Sequence, residues 1–368
     1  MKIALVHDYL REYGGAERVL MALHQLWPKS PIYTAFKTGG STAAKEFAGA
    51  EVRESFLAPL IKHKNLYSPL RFFAPLIWRS FDLKDFDLII TSSSWYITRG
   101  FRIGKKTKVI CYCHTPPRYL YGYPTSIEWQ RYLPVRIYAL IVNHFLRQFD
   151  YQSAQQVDHF IVNSKNVQKR VKKFYRRDST VIYPSVKAKE IAKVTRNLKP
   201  EDYFLIVSRL VGAKGIELAA EVARTAKVKI KIVGEPAGLR WLGGKLEQLK
   251  NPYLDFLGRV PDKQLHQLYG RCRAFLALAE DEDFGIAPVE AQAAGRPVIA
   301  FRGGGFLESV IEGKTGCFID DLKPKTLAKT IKEFRSEKYS SQNCRRQAFK
   351  FDESVFKQKL KEFVKKYA

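Results

Sequence analysis

Two α/β domains of the Rossmann-like type are predicted for this chain of 368 residues, on three observations. Its length exceeds what one hydrophobic core usually serves. Short apolar runs alternate with amphipathic stretches, the pattern of a parallel sheet covered by helices. That alternation stops at a polar segment near the middle and then begins again.

In the first half the runs Ile3–Val6, Ile32–Phe36, Leu88–Thr91, Lys108–Tyr112, Phe160–Val162 and Val181–Tyr183 read as buried strands. Ala16–Leu26 places Val19, Leu20, Leu23 and Leu26 on one face of a helix between two of them. Lys187 to Asp202 is polar, carries Pro200 near its end, and reads as a surface connection between domains. Strand and helix then alternate as Phe204–Ser208, Gly215–Thr225, Lys229–Val233, Leu239–Leu249, Leu254–Leu257, Asp262–Tyr269 and Ala274–Leu278. From Asp352 onward, Phe356, Leu360, Phe363, Val364 and Tyr367 recur at helical spacing, so the tail should dock against a core.

Hydrophobic residues at 46% and charged residues at 27% fit a globular protein and exclude a disordered or fibrous one. Lys and Arg number 63 against 36 Asp and Glu, a formal net charge of +27 that calls for an anionic partner. Nucleic acid is the less fitting choice, because the basic residues are scattered and no nucleic-acid motif is present. A phosphorylated small molecule or an anionic membrane face fits better. Five cysteines, odd in number and unevenly spaced, argue against a disulfide framework and for a reducing cytosol. Cys111, Cys113 and His114 form no second metal-type cluster, so buried thiols and no zinc are expected. Asp8 comes too soon for the apolar core of a signal peptide, and neither Leu66 to Phe81 nor Ile137 to Phe149 offers ~20 clean apolar residues for a membrane span. In the former, Leu66, Leu70, Phe73 and Ile77 form one apolar stripe, with Phe72, Trp78, Arg71 and Arg79 off it. This is either a membrane-surface helix or a core helix with an aromatic rim. The first reading would put reversible docking on anionic membranes around Lys62, Lys64, Arg71, Trp78 and Arg79.

The densest chemical signal runs from Glu282 to Ala291, where a Gly-bearing loop leads into a helix with Pro288 in its first turn. Backbone amides near Phe284, Gly285 and Ile286, with the positive end of the helix dipole, suit a phosphate or hydroxyl oxygens. Glu290 is expected on the first helical turn, where a carboxylate suits vicinal hydroxyls such as those of a ribose. Arg209 and Lys214 follow the first strand of the second domain, where open α/β sheets bind ligands, and are placed to neutralise a leaving diphosphate. In the first domain Gly14 and Gly15 permit close backbone approach at a helix start. The Gly-x-Gly-x-x-Gly dinucleotide spacing is missing, which argues against a nicotinamide dehydrogenase. His114 stands at the carboxyl end of another strand, before Pro116 and Pro117.

In this order the motifs resemble glycosyltransferase family 4, the retaining group 1 transferases of GT-B fold. The resemblance rests on Gly14-Gly15-Ala16-Glu17, His114-Thr115-Pro116, Asn163-Ser164, Tyr183-Pro184, Arg209 with Lys214, Phe256 to Val260, the Glu282/Glu290 pair, and Gly303-Gly304 with Glu308. It implies two Rossmann-like domains facing across a cleft, over 1–190 on the acceptor side and 191–351 on the donor side. A closing helix over 352–368 would return to the first domain. It also implies that Glu282 and His114 contact the donor sugar, Glu290 the ribose, Arg209 and Lys214 the diphosphate, and Arg259 and Val260 the base. No metal and no cofactor is expected. A nucleotide-diphosphate sugar is the implied donor, mannose the first choice, with a glycan or lipid-linked acceptor in polysaccharide synthesis. A phosphorylase or sugar-nucleotide hydrolase of the same fold remains the alternative. Where many relatives have Pro-Ser, this chain has Ala279-Glu280-Asp281, and Asp283 follows Glu282, so the donor stays open.

Overall fold

The computed structural model describes residues 1–63, 66–125, 132–236, 244 and 246–368. Its chain forms two compact units, one of residues 1–123, 132–185 and 354–368, the other of Val186–Glu353 together with Pro124 and Thr125.

In the first unit the elements in order are β1 (Ile3–His7), α1 (Gly15–Leu26), β2 (Ile32–Thr34), α2 (Thr42–Glu46), β3 (Val52–Glu54), α3 (Ala58–Lys62), α4 (Ala74–Ser80), β4 (Leu88–Ser93), β5 (Lys108–Cys113), α5 (Leu133–Gln155), β6 (His159–Val162), α6 (Lys165–Tyr175) and β7 (Ser179–Val181). All strands are parallel in the order β3-β2-β1-β4-β5-β6-β7. The order reverses beside β1, and the carboxyl ends of β1 and β4 flank that switch point. Central strands are buried throughout, as continuous apolar runs require. β3 escapes sequence reading because Val-Arg-Glu at a sheet edge carries no apolar run. β7 lies two residues before its expected place, although the Ile182 amide still donates to the Val162 carbonyl oxygen at 3.0 Å.

The second unit comprises α7 (Ala188–Thr195), β8 (Phe204–Val207), α8 (Ile216–Ala226), β9 (Ile230–Val233), α9 (Leu246–Leu249), β10 (Leu254–Gly258), α10 (Asp262–Arg271), β11 (Ala274–Ala277), α11 (Ile286–Ala293), β12 (Val298–Phe301), α12 (Phe306–Ser309), β13 (Gly316–Ile319), α13 (Pro324–Glu333) and α14 (Ser341–Phe349). Its parallel sheet runs β10-β9-β8-β11-β12-β13, with the switch point at β8 and β11. Most of the expected helix Leu239–Leu249 lies outside the described residues.

Helix α15 (Glu353–Tyr367) completes the first unit. Phe356, Leu360, Phe363 and Val364 enter one core cluster with Leu5, Leu20 and Ile110, and Phe356 meets the Tyr112 ring edge-on at 5.9 Å. Each such side chain contributes about 1.5–3 kcal/mol by burial.

Two expectations are overturned. The segment read as a surface connection folds as α7, whose Ala188, Ile191, Ala192 and Thr195 are buried. It packs on α10, α11 and α14, so four small or apolar residues at helical spacing outweigh the surrounding lysines. The stretch from Leu66 is no single surface helix either. Pro69 interrupts it, a 3-10 turn over Arg71–Phe73 follows, and α4 begins anew with Pro75 in its first turn. Trp78 is fully buried, with its indole N–H donating to the Tyr96 carbonyl oxygen at 2.6 Å. Arg71 is buried too and donates to Asn143 Oδ1 at 3.2 Å. Neither is available to a membrane, and Lys64 lies outside the described residues.

Candidate functional site

At the β8/β11 switch point, two crests are drawn together by glycine. After β8 the chain passes Ser208 and Arg209, makes a 3-10 turn over Gly212–Lys214, and enters α8 through Gly215 at φ +71°. A Cβ at Gly215 would lie 2.6 Å from Leu278 Cβ, so the crest after β11 can approach only a glycine. Beyond β11, residues 279–284 form a loop closed by Gly285, whose φ of +85° turns the chain into α11. Gly304 and Gly305 pack against this loop, and the Gly305 amide donates to the Glu282 carbonyl oxygen at 2.9 Å. A Cβ on either residue would stand within 2.4 Å of backbone atoms of residues 282–284. The loop's course is therefore set by backbone contact.

This geometry brings Lys214 and Glu282 into an ion pair between the crests. Both side chains are partly buried. A bound anion with an adjoining polyol would meet an ammonium donor and a carboxylate acceptor side by side. Gly285 and Ile286 stand at the amino end of α11, whose eight residues carry their positive pole there. Phe284 is buried against Phe351, with ring centroids 5.2 Å apart, and so anchors the loop from below. Arg209 is exposed after β8, and Arg259 is exposed after β10 beside half-buried Val260. Among the described residues neither guanidinium is engaged in an ion pair.

Glu290 departs from its expected position. α11 starts only at Ile286, because Gly285 is still in the left-handed region, so Glu290 falls just past the first turn. Its side chain is only 6% exposed and its Oε2 accepts from the Tyr269 hydroxyl at 2.7 Å. Sequence reading missed Tyr269, which lies 21 residues earlier on α10 with no motif to mark it.

In the first unit, Gly14 caps α1, and its amide donates to Glu17 Oε2 at 2.9 Å. Gly15 is the first residue of that helix. His114 follows β5, with its amide donating to the Ser93 carbonyl oxygen at 2.9 Å and its Nε2 lying 2.8 Å from Ser92 Oγ. Asn163 Nδ2 donates to the His114 carbonyl oxygen at 2.8 Å, which ties the segment after β6 to the one after β5. Cys111 and Cys113 are buried on β5, and burial pushes the Cys111 thiol up to about 11.

Paired parallel-sheet units of this kind, with a glycine-shaped crest at a switch point, define the GT-B architecture of glycosyltransferases. The model for glycosyl transferases group 1 matches residues 187–351, and that for glycosyltransferase family 4 matches residues 13–190. The chain belongs to the group 1, family 4 glycosyltransferases and is an enzyme of that class. It is similar to an alpha-1,3/1,6-mannosyltransferase of Dictyostelium discoideum, 25% identical over 334 residues that cover 78% of this chain and 77% of the relative. A GDP-mannose-dependent alpha-mannosyltransferase of Corynebacterium glutamicum is 32% identical over 31% of this chain and 26% of its own length. Among solved structures, that of Anabaena HepE with UDP and glucose superposes with a TM-score of 0.71 at 19% identity, covering 99% of both chains.

Proposed function

We propose that the enzyme moves a hexose, mannose first, from a nucleotide-diphosphate sugar to a glycan or lipid-linked acceptor in polysaccharide assembly, with retention at the anomeric carbon. The observation that carries this reading is the Lys214–Glu282 pair just before the α11 amino terminus, with Arg209 on the same crest after β8 as Lys214. As the bond between the anomeric carbon and the diphosphate oxygen breaks, negative charge grows on that oxygen. Lys214, Arg209 and the amides of Gly285 and Ile286 would stabilise it. Glu282 would accept from hydroxyls of the sugar, Glu290 from those of the ribose, and Arg259 and Val260 would border the base. His114 and the Gly14-Gly15 turn are assigned to the donor by the family pattern. Mannose is favoured by the two mannosyltransferase relatives. Release of nucleoside diphosphate from GDP-mannose, UDP-glucose and ADP-glucose, each with and without a polyprenyl-diphosphate-linked acceptor, tests the proposal. Transfer should require the acceptor. Equal release without it would identify a hydrolase, and phosphate-dependent release a phosphorylase.

No metal or other cofactor is needed on this reading, since two side-chain cations and a helix terminus serve the diphosphate. Turnover should therefore persist in excess chelator. Its complete loss, with recovery on added magnesium, would refute the point.

We also place the enzyme at the cytoplasmic face of an anionic membrane, on a surface other than the one the sequence indicated. No helix among the described residues is long and apolar enough to cross a membrane. α5, however, is apolar on two opposite faces. Ala139, Leu146 and Phe149 are buried, while Leu133, Ile137, Leu140, Ile141 and Phe145 point outward at helical spacing, with Leu140 72% and Phe145 63% exposed. Exposed Phe72 and Leu76 belong to the segment on which α5 rests through Arg71–Asn143 and Arg79 over Phe149. Residues 132–149 contain Arg136 and Arg147 and no acidic residue. A lipid interface suits such a face, with ~1 kcal/mol from each basic residue and a salt-resistant part from the apolar ones. The protein should sediment with anionic vesicles at low salt, and Leu140→Asp with Phe145→Asp should abolish this without changing donor affinity. Indifference to anionic vesicles, or equal binding to neutral ones, refutes the assignment.

A further inference from the structure

The contact between Lys214 and Glu282 bears on which ligand the crests prefer. Lys214 ends the 3-10 turn after β8, and Gly215 at φ +71° follows it. Glu282 is held through its backbone. A Cβ at Gly304 would stand 2.4 Å from the Glu282 carbonyl oxygen and 2.9 Å from its amide nitrogen, and the Gly305 amide donates to that same oxygen at 2.9 Å. The Glu282 backbone thus has no room to draw back, and the two side chains meet between the crests, 25% and 21% exposed. We infer that Glu282 is a specificity-determining residue: by competing with a bare diphosphate for the Lys214 ammonium, it makes the crests favour an intact nucleotide sugar over the released nucleoside diphosphate. The inference rests on the donor site proposed above.

Charge alone would favour the wrong ligand. The terminal phosphate of a nucleoside diphosphate is a monoester and carries about one more negative charge near neutral pH than the same group in a nucleotide sugar, where it is a diester. Arg209, Lys214 and the positive pole of α11 therefore attract the product more strongly than the donor. Left to those groups, the enzyme would be held by its own product. Glu282 opposes this in two ways. An ionised carboxylate can only accept, so it competes with phosphate oxygens for the Lys214 N–H groups, and it repels the extra charge of the product. Sugar hydroxyls, by contrast, can donate to it, and only the donor brings them. The intact donor regains at Glu282 what its diphosphate loses at Lys214, and the product does not. Partial burial of both side chains keeps the contact from being fully screened by salt.

Calorimetric titration of the full chain with GDP and GDP-mannose, and with UDP and UDP-glucose, in the absence of acceptor tests the inference. Glu282→Gln keeps an acceptor for a sugar hydroxyl and removes the charge. In that variant the nucleoside diphosphate should bind about fivefold more tightly, the upper range for one partly exposed ion pair, while the nucleotide sugar binds no more tightly than before. The ratio of the two affinities should move toward the product by the same factor, and inhibition of transfer by added nucleoside diphosphate should strengthen with it. Combining Glu282→Gln with Lys214→Gln should remove most of the gain, because no ammonium is left to be freed. Glu280→Gln, at an exposed position two residues earlier on the same loop, should shift the ratio far less. Retained melting transitions show that the variants are folded. A ratio unmoved in Glu282→Gln, an equal shift in Glu280→Gln, or a gain that persists undiminished in the double variant would overturn the inference and leave the donor site standing. If neither pair of nucleotides bound the unaltered protein, the donor-site reading would fail and the inference with it.

Discussion

Replacing Lys214 or Arg209 by alanine is expected to lower kcat by about 10²- to 10³-fold, the usual consequence of removing one preorganised group from a developing charge. Donor KM should move far less, because the charge on the departing diphosphate is largest in the transition state. For Lys214 the loss is compounded. Its ammonium is paired with Glu282, so alanine takes a positive charge away from that carboxylate at the place where, on the proposed mechanism, negative charge accumulates. Arg209 is exposed and makes no ion pair among the described residues, so its substitution disturbs no internal contact of that kind. Initial rates over a range of donor concentrations separate the two parameters. Full turnover in either variant would remove that residue from the mechanism.

If Glu290 holds the ribose as proposed, Glu290→Ala should weaken donor binding by about 1.5–3 kcal/mol, roughly 10- to 150-fold in Kd, as a charged acceptor is withdrawn from the ribose hydroxyls. The buried Tyr269 hydroxyl complicates the alanine variant, since it donates to Glu290 and would lose that acceptor. Glu290→Gln resolves this. The amide oxygen can still accept from Tyr269 while the charge is gone, so the fold should be spared and donor affinity should still fall. Calorimetric titration with the nucleoside diphosphate measures both variants. Unchanged affinity in both would show that Glu290 serves the packing of α10 on α11 and not the ligand.

Several parts of the molecule were written locally and could be read. β4 and β5 appear as apolar runs because central parallel strands are buried on both faces. The glycines at 215, 285 and 304 announce crests that no other residue can form, since each holds a positive φ against neighbouring backbone or side chain. Helix α15 was visible from its periodic Phe and Leu, although its tie to the first unit is a fact of the fold.

Other features depend on residues far apart in sequence. α7 looks like a linker because its buried face is only Ala188, Ile191, Ala192 and Thr195, and small side chains give a weak hydrophobic signal. Tyr269 reaches Glu290 and His7 reaches Ser92 across 21 and 85 residues, and nothing in the intervening chain encodes either approach. Trp78 and Phe145 show the same division in reverse. The sequence marks both as large and apolar, and only packing decides that the indole fills the core while the phenyl ring stands on the surface. What the sequence determined by itself is therefore the class of fold, the order of most of its strands and the residues at the strand crests, because periodicity and glycine geometry act over a few residues. The tertiary structure alone decided which polar groups share protons and which apolar face is left uncovered, because both depend on strands and helices meeting across the chain.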